Sequence, residues 1–187
     1  MALSAQEVRV AVTGNIYVAP VGTTAPVDAT TAPAAAWLEL GYTTEDGVAF
    51  SKAVTRDTVA AWQSVTPVRT ILSSQEVTLG FSLMQWNENT LSYYMGGTVT
   101  TNATSQFKLE IPVSPQTDER ALLLDWIDGT IHYRLFFPRT ELQETGEIPL
   151  TRTGVAVLPC TVTGLAPATG NVMATLFTDD EHFGVGV

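Results

Sequence analysis

The alternation of apolar and polar residues over Glu76–Gln85 limits what this chain can fold into more than any other feature. Every second residue is apolar, and the residues between them are small or polar; the apolar members are Val77, Leu79, Phe81 and Leu83. A period of two places these side chains on one face of a β-strand, whereas a helix would spread them around its surface. The segment is therefore predicted as a half-buried strand, with its second face towards solvent or an interface.

Further segments share this β-like patterning. Asp128-Gly129 separates two of them and favours the positive φ angles of a hairpin turn, so a hairpin is predicted there. The other predicted strands are Asn15–Val18, Phe107–Val113, Ala121–Ile127, Ile131–Phe137, Leu150–Cys160 and Val172–Phe177. Many strands with little helix predict a mainly β fold, with two packed antiparallel sheets in a sandwich or barrel.

One short helix is predicted to flank the sheets, from Glu88 to Met95. Asn87 can cap its start because its side chain accepts from the free amides of the first turn. Gly96-Gly97 can end the helix in a left-handed conformation. Leu91, Tyr94 and Met95 follow the i, i+3, i+4 spacing of one apolar stripe, which would pack on a sheet.

Length and composition predict a single domain over residues 1–187, since one core is usual at this size. Residues 1–12 and 178–187 are expected to be terminal arms, which either bridge subunits or fray. Residues 20–36, rich in Pro, Thr and Ala, are predicted as a loop. Residues 41–62 are predicted as a second, long loop between strands. The chain lacks a run of roughly 20 apolar residues, and its start lacks the features of a signal peptide, so neither a membrane span nor secretion is expected.

Charge and cysteine content exclude several classes of function. The net charge of −10 disfavours a protein that grips nucleic acid or an anionic membrane. The single cysteine, Cys160, cannot form an intramolecular disulfide and lies in an apolar run, so it is predicted to be buried.

Candidate catalytic and metal-binding residues are sparse. His132 lies on a predicted strand and is interpreted as a sheet-surface residue rather than a catalytic base. His182 and the acidic residues before it, Asp179, Asp180 and Glu181, could gather a hard cation, but a solvated terminal cluster is the simpler interpretation. Turn and surface roles account for the carboxylates that could suggest glycoside hydrolysis, namely Glu110, Asp118, Glu119, Asp125 and Asp128. The sequence therefore predicts no enzyme, no cofactor and no metal site.

An ordered set of motifs across residues 37–97 favours a more specific interpretation. It comprises Trp37-Leu38-Glu39-Leu40-Gly41-Tyr42-Thr43-Thr44-Glu45-Asp46-Gly47-Val48, Ala61-Trp62-Gln63, Pro67-Val68-Arg69, the strand Val77 to Leu83, Gln85-Trp86-Asn87 and Gly96-Gly97. Taken together, the set resembles the major tail tube proteins of long-tailed, non-contractile bacteriophages, particularly those of actinobacterial hosts. The resemblance covers about a third of the chain.

This resemblance implies a virion protein made in the cytoplasm of the infected host. Members of the family form hexameric rings of joined sheets, and the rings stack into a tube through which genomic DNA leaves the head. The expected partners are other copies of the chain, a tape measure protein, a tail terminator and a distal tail protein. No membrane partner is expected.

Two residue-level hypotheses follow. The long segment after Gly41 is too apolar for a loop without a binding role, so it is assigned to stacking between rings. An ordinary hairpin packed on its own subunit remains an alternative. The candidate stacking contacts are Glu45, Asp46, Val48, Phe50, Lys52, Arg56 and Asp57. The polar face of the Val77–Leu83 strand, with Thr78, Gly80 and Ser82, is a candidate lumen wall with negative potential, unless that face lies against solvent or the helix.

Rival functions remain open at this point. A head-tail connector or tail terminator also forms rings but caps a tube instead of extending it. A carbohydrate-binding β-sandwich would use exposed tryptophans as stacking platforms, with Trp37, Trp62, Trp86 and Trp126 as candidates. Trp126 shares a strand face with Leu122 and Leu124 and is predicted to be core.

Overall fold

The computed structural model describes residues 4–103, 106–114 and 117–184. Strands account for 54% of the residues and helices for 7%, so the chain is mainly β. The strands are β1 (Thr13–Pro20), β2 (Leu38–Glu39), β3 (Thr43–Ala61), β4 (Ser64–Leu83), β5 (Thr98–Ala103), β6 (Gln106–Glu110), β7 (Glu119–Asp128), β8 (Ile131–Thr145), β9 (Leu158–Gly164) and β10 (Thr175–Thr178), and the α-helix is α1 (Glu88–Met95). The predicted fold class, mainly β with antiparallel sheets and one short helix, is confirmed.

The two sheets differ greatly in size. One contains eight strands in the order β2-β1-β7-β8-β9-β4-β3, with β10 paired to β8, and the other contains only β5 and β6. Strand β8 joins the two halves of the large sheet, because most of its length pairs with β7 and its last part, residues 140–145, pairs with β9. A register shift between Leu142 and Glu144 lies in that last part, and bulges of this kind bend a strand.

The main core forms where the two halves of the large sheet face each other. Ile16 and Leu122 come from one half, Leu79 and Val162 come from the other, and all four lie in one cluster of buried side chains. The two packed layers are therefore parts of one continuous sheet. A smaller cluster, which includes Trp37, lies apart from the main core.

Helix α1 begins and ends where the sequence predicts. The Asn87 side chain accepts from the Thr90 amide at 3.0 Å, and the Thr90 hydroxyl accepts from the Asn87 amide at 3.0 Å, which closes a capping box. Gly96, with φ of +63°, ends the helix in the left-handed region. The buried side of helix α1 is centred on Tyr93 and Tyr94. Leu91 and Met95 lie at the margin of the core.

The predicted long loop over residues 41–62 is wrong. Thr43–Ala61 is strand β3, paired antiparallel with β4 and connected to it at Trp62 and Gln63. Both strands are rich in valine and threonine, which favour extended backbone, and pairing satisfies the amides that a long loop would leave to water.

Several other boundaries differ from the prediction. The strand predicted over Leu150–Cys160 begins only at Leu158 and continues to Gly164. The strand at Phe107 ends at Glu110, before a proline that has no amide to donate. The predicted hairpin is confirmed, but Asp128 pairs with Ile131, so the turn residues are one position later than expected. Strands β2 and β5 were not predicted.

Candidate assembly surfaces

The β3–β4 hairpin extends far beyond the rest of the sheet. Strand β9 pairs with β4 only from Thr78 to Leu83, so residues 52–76 continue as a two-stranded ribbon. None of these residues is buried, and we call them the arm. Because an isolated two-stranded hairpin is only marginally stable in water, a ribbon of this length is expected to gain stability from a surface outside its own subunit.

Apolar side chains are concentrated on the arm and reach its tip. Trp62 is 99% exposed, and Val65 is 106% exposed relative to its reference state. Further exposed apolar side chains along the arm are Val59, Val68, Ile71 and Leu72. Clustered apolar exposure of this kind is typical of a protein interface.

The arm also differs from the body in charge. It contains Lys52, Arg56 and Arg69 against Asp57 and Glu76, a net charge of +1, which leaves −11 for the remainder of this −10 chain. Within the described residues, none of its three cations forms an ion pair. By contrast, five basic residues of the body pair with acids. The arm is therefore electrostatically complementary to the body of another copy.

The predicted stacking residues divide between the root of the hairpin and the arm. Glu45 and Asp46 are exposed in a bulge between Thr43 and Val48, which Gly47 completes with a φ of +68°. Val48 is half-buried against the core, while Phe50 is 54% exposed at the root. Lys52, Arg56 and Asp57 lie on the arm, where the Asp57 carboxylate accepts from the Ser73 hydroxyl.

The sequence did not identify two parts of the arm as candidate contact surfaces: its tip and its second strand, the first part of β4. Ser64 to Leu72 is rich in valine, threonine and isoleucine, which could have indicated a strand. Pro67 argues against such an assignment in a regular ladder. In the structure, Pro67 falls in the irregular part of the pairing, between the partners of Ala61 and Val59, where its missing amide costs little.

The predicted lumen residues form part of a polar sheet face. Thr78, Gly80 and Ser82 point away from the core residues with which they alternate, and they are half-buried. Most of their cross-strand neighbours are also small or polar, namely Ser51 and Ala49 on β3 and Thr163 and Thr161 on β9, while Pro159 lies opposite Ser82. The Thr163 hydroxyl donates to the Gln143 side chain on β8, so the polar face spans four strands. Helix α1 packs on the opposite, apolar side of the sheet. The helix therefore does not cover the polar face.

The described parts of the two terminal segments are joined to each other and to the sheet. The Asp180 carboxylate accepts from Arg9 Nε at 2.8 Å, from Arg9 Nη2 at 2.6 Å and from the Tyr133 hydroxyl at 2.5 Å. The Tyr133 hydroxyl, followed by Arg9, lowers the pKa of Asp180. The Val12 amide donates to the Ile127 carbonyl at 3.1 Å. Residues 1–3 and 185–187 of the predicted arms lie outside the described residues.

A buried arginine fastens the Pro/Thr/Ala-rich segment to the sheet. Arg134 is 3% exposed and makes a bidentate contact with Asp125, at 2.8 and 2.7 Å. Its third nitrogen donates to the carbonyls of Asp28 and Thr31, at 2.9 and 2.6 Å. The Asp28 carboxylate also accepts from the Thr31 amide, the Thr31 hydroxyl and the Thr30 amide, and these bonds lower its pKa to about 2.

Contacts within the subunit account for the residues that were considered for catalysis or metal binding. Each of the five carboxylates considered for hydrolysis is bound: Glu110 by Lys108, Asp118 by Arg120, Glu119 by Arg139, Asp125 by Arg134 and Asp128 by the Val10 amide. His132 pairs with Asp179 at 2.9 Å, and His182 lies 3.2 Å from Asp180. Across the described ranges, no cluster of three such residues could hold a metal ion. Nor does any helix in those ranges have the length and apolarity to cross a bilayer.

The tryptophans do not form a shared platform. Trp37 is buried and packs edge-on against Phe136, with ring centroids 5.9 Å apart. Trp126 was predicted to be core but is only half-buried; it packs against the core and stacks on Tyr133, with ring centroids 5.2 Å apart. Trp86 donates to the Ala156 carbonyl at 2.9 Å. Trp62 stands alone at the tip of the arm.

A β-rich subunit with a projecting apolar arm has the form of an assembly component. Residues 1–185 match the family described as phage tail tube protein. The chain therefore belongs to the phage tail tube protein family, and it is a structural protein of the virion tail that self-assembles into a tube. No curated protein matches the chain.

Proposed function

We propose that this chain builds the tail tube of a long-tailed, non-contractile bacteriophage as stacked hexameric rings, and that the arm makes the contact between rings. The observation that carries this proposal is the arm itself. None of its residues is buried, its tip is apolar and its net charge is +1, whereas the body that it would meet in the next ring is strongly acidic. A head-to-tail contact stays open and extends into a filament when the rotation between copies does not bring it back to the first copy.

The tube is proposed to conduct genomic DNA during ejection. A conduit must not hold its cargo, and each phosphate contact with a basic side chain would add affinity through counterion release. The polar face around Thr78 and Ser82 suits such a wall because its described part offers hydroxyls and no lysine or arginine. The acidic body adds a repulsive potential.

The remaining features of the proposal are expectations from the sequence resemblance. The expected partners are a tape measure protein, a tail terminator and a distal tail protein. The protein is made in the cytoplasm of the infected bacterium, an actinobacterium by the sequence resemblance, and it performs no catalysis.

Shortening the arm tests the proposal directly. Val54 pairs with Gln75, so residues 55–74 can be replaced by Asn-Gly, which closes a two-residue hairpin turn. The pairing of β4 with β9 lies outside the replaced segment, so the variant is expected to stay folded with an unchanged melting temperature. Purified full-length chain should form tubes with six-fold rings in electron micrographs.

The shortened chain should form single rings or monomers but no tubes. Normal tubes from the shortened chain would refute the assignment of the arm to stacking. A full-length chain that forms only single rings, at any concentration, would instead support a terminator or connector.

A further inference from the structure

A groove opens beside the root of the hairpin. It has a volume of about 1070 Å³ and lies between the start of β1 and the first residues of β3. Ile16, Leu124 and Trp126 line it, and Val48 and Phe50 of β3 contribute further apolar surface. Protein sites that enclose small organic ligands occupy roughly 300–1,000 Å³, so this groove has room for an aromatic side chain and its neighbours.

The rim of the groove is acidic. Glu39 and Glu45 both line it and are both exposed. Neither carboxylate forms a salt bridge within the part of the chain that the structure describes. The groove therefore combines an apolar interior with unneutralised negative charge, which matches the apolar tip and the cationic shaft of the arm.

The arm of a subunit cannot reach the groove of the same subunit. Phe50 lies in the groove and Trp62 lies at the tip, twelve positions further along the chain, and this extended segment spans about 40 Å at roughly 3.3 Å per residue. The tip therefore meets such a groove only on another copy. One arm and one groove per chain suit a head-to-tail series, in which each copy offers a free arm at one end and a free groove at the other.

We propose that the tip of the arm of one copy, with Trp62 at its end, docks in this groove of a copy in the next ring. Docking buries the exposed indole and brings Arg56 and Arg69 of the shaft towards the acidic rim. Buried tryptophans are among the side chains that contribute most to protein interfaces. The inference rests on the proposed function and adds to it the surface that receives the arm.

Cysteine cross-linking in assembled tubes tests the position of the tip. The full-length chain carries Gln63→Cys, next to Trp62 in the turn, together with Thr13→Cys, because Thr13 is exposed and lines the groove. The matched control carries Gln63→Cys with Thr163→Cys, since Thr163 lies on the polar face of β9. The native Cys160 is buried, and burial raises the pKa of its thiol to about 12, so it reacts slowly with maleimides.

In the variant with one cysteine in the groove, a short bismaleimide should give a ladder of cross-linked dimers, trimers and larger chains. In the control variant, it should give at least tenfold less cross-linked product. Cross-links to the control position, or to neither position, would overturn docking in the groove. Such a result would leave the requirement for the arm intact, since the shortened hairpin tests that separately.

A charge exchange tests the same contact without altering Trp62. Arg56→Glu with Arg69→Glu should raise the critical concentration for tube formation about tenfold, because two attractive pairs become repulsive. Adding Glu39→Lys and Glu45→Lys to the same chain should bring the critical concentration back to within about threefold of that of the unsubstituted chain. Glu147 is an exposed acid that does not line the groove. Adding Glu147→Lys instead should leave the critical concentration as high as in the Arg56→Glu, Arg69→Glu chain. A rim exchange that fails to rescue assembly would overturn the proposal.

Discussion

Removing the indole at the tip of the arm should weaken tube growth without weakening the fold. Trp62 is 99% exposed in the isolated subunit, so Trp62→Ser should leave the melting temperature unchanged. A tryptophan buries roughly 150–250 Å² at an interface, and about 200 Å² at about 25 cal/mol/Å² corresponds to about 5 kcal/mol. If ordering of the arm and imperfect packing offset half of this, about 2.5 kcal/mol per contact is lost.

A loss of this size corresponds to about a 60-fold higher critical concentration, at about 1.4 kcal/mol per factor of ten. Sedimentation of assembled tubes over a concentration series measures this quantity. Val65 and Val113 provide a matched pair of controls, since their exposures are 106% and 104% and only Val65 lies on the arm. Val65→Ser should raise the critical concentration about fivefold, from about 1 kcal/mol of lost burial, and Val113→Ser should not change it.

Two results would contradict this reasoning. One is a critical concentration for Trp62→Ser within twofold of the unsubstituted chain, which would show that the indole stays in water after assembly. The other is an equal effect of Val65→Ser and Val113→Ser, which would show that apolar exposure acts without regard to its position.

Three further perturbations have defined outcomes. Arg134→Met should lower the free energy of unfolding in urea by about 3 kcal/mol, because it leaves the carboxylate of Asp125 without its buried partner, and adding Asp125→Asn should recover part of the loss. The pKa of Asp28 falls from 3.8 to about 2 on folding, so its contribution to stability is complete above about pH 4 and is lost as the pH falls towards 2; acid unfolding of Asp28→Asn should therefore be less steep over that interval. Lysines at Thr78 and Ser82 should make assembled tubes retain nuclease-protected DNA at low salt, and DNA that remains fully digestible would place this face outside the lumen.

Local chemistry explains why the helix was predictable to the residue. Asn87 and Gly96 act through side-chain and backbone geometry that involves only neighbours in sequence. The Asp128-Gly129 hairpin was predictable for a similar reason, although the pairing register shifted the turn by one residue. The apolar alternation over Val77 to Leu83 identified a strand because one face of that strand is buried in the core.

The length of the hairpin could not be inferred in this way. Residues 52–76 form paired strands with two register shifts, yet neither of their faces is buried in the subunit, so no alternation marks them. A segment without a buried face leaves no periodic pattern in the sequence, and a loop is then the default prediction. The same argument explains why Trp62 was considered as a platform but not as the end of an arm.

By itself, the sequence determined the β character, the helix and its caps, and the burial of Cys160, because each depends on residue types over a short span. Only the tertiary structure decided that the two layers are halves of one sheet, and that Ile16 and Phe50 border the same groove. Strand order, and hence which distant residues share a surface, depends on pairings that no local pattern encodes.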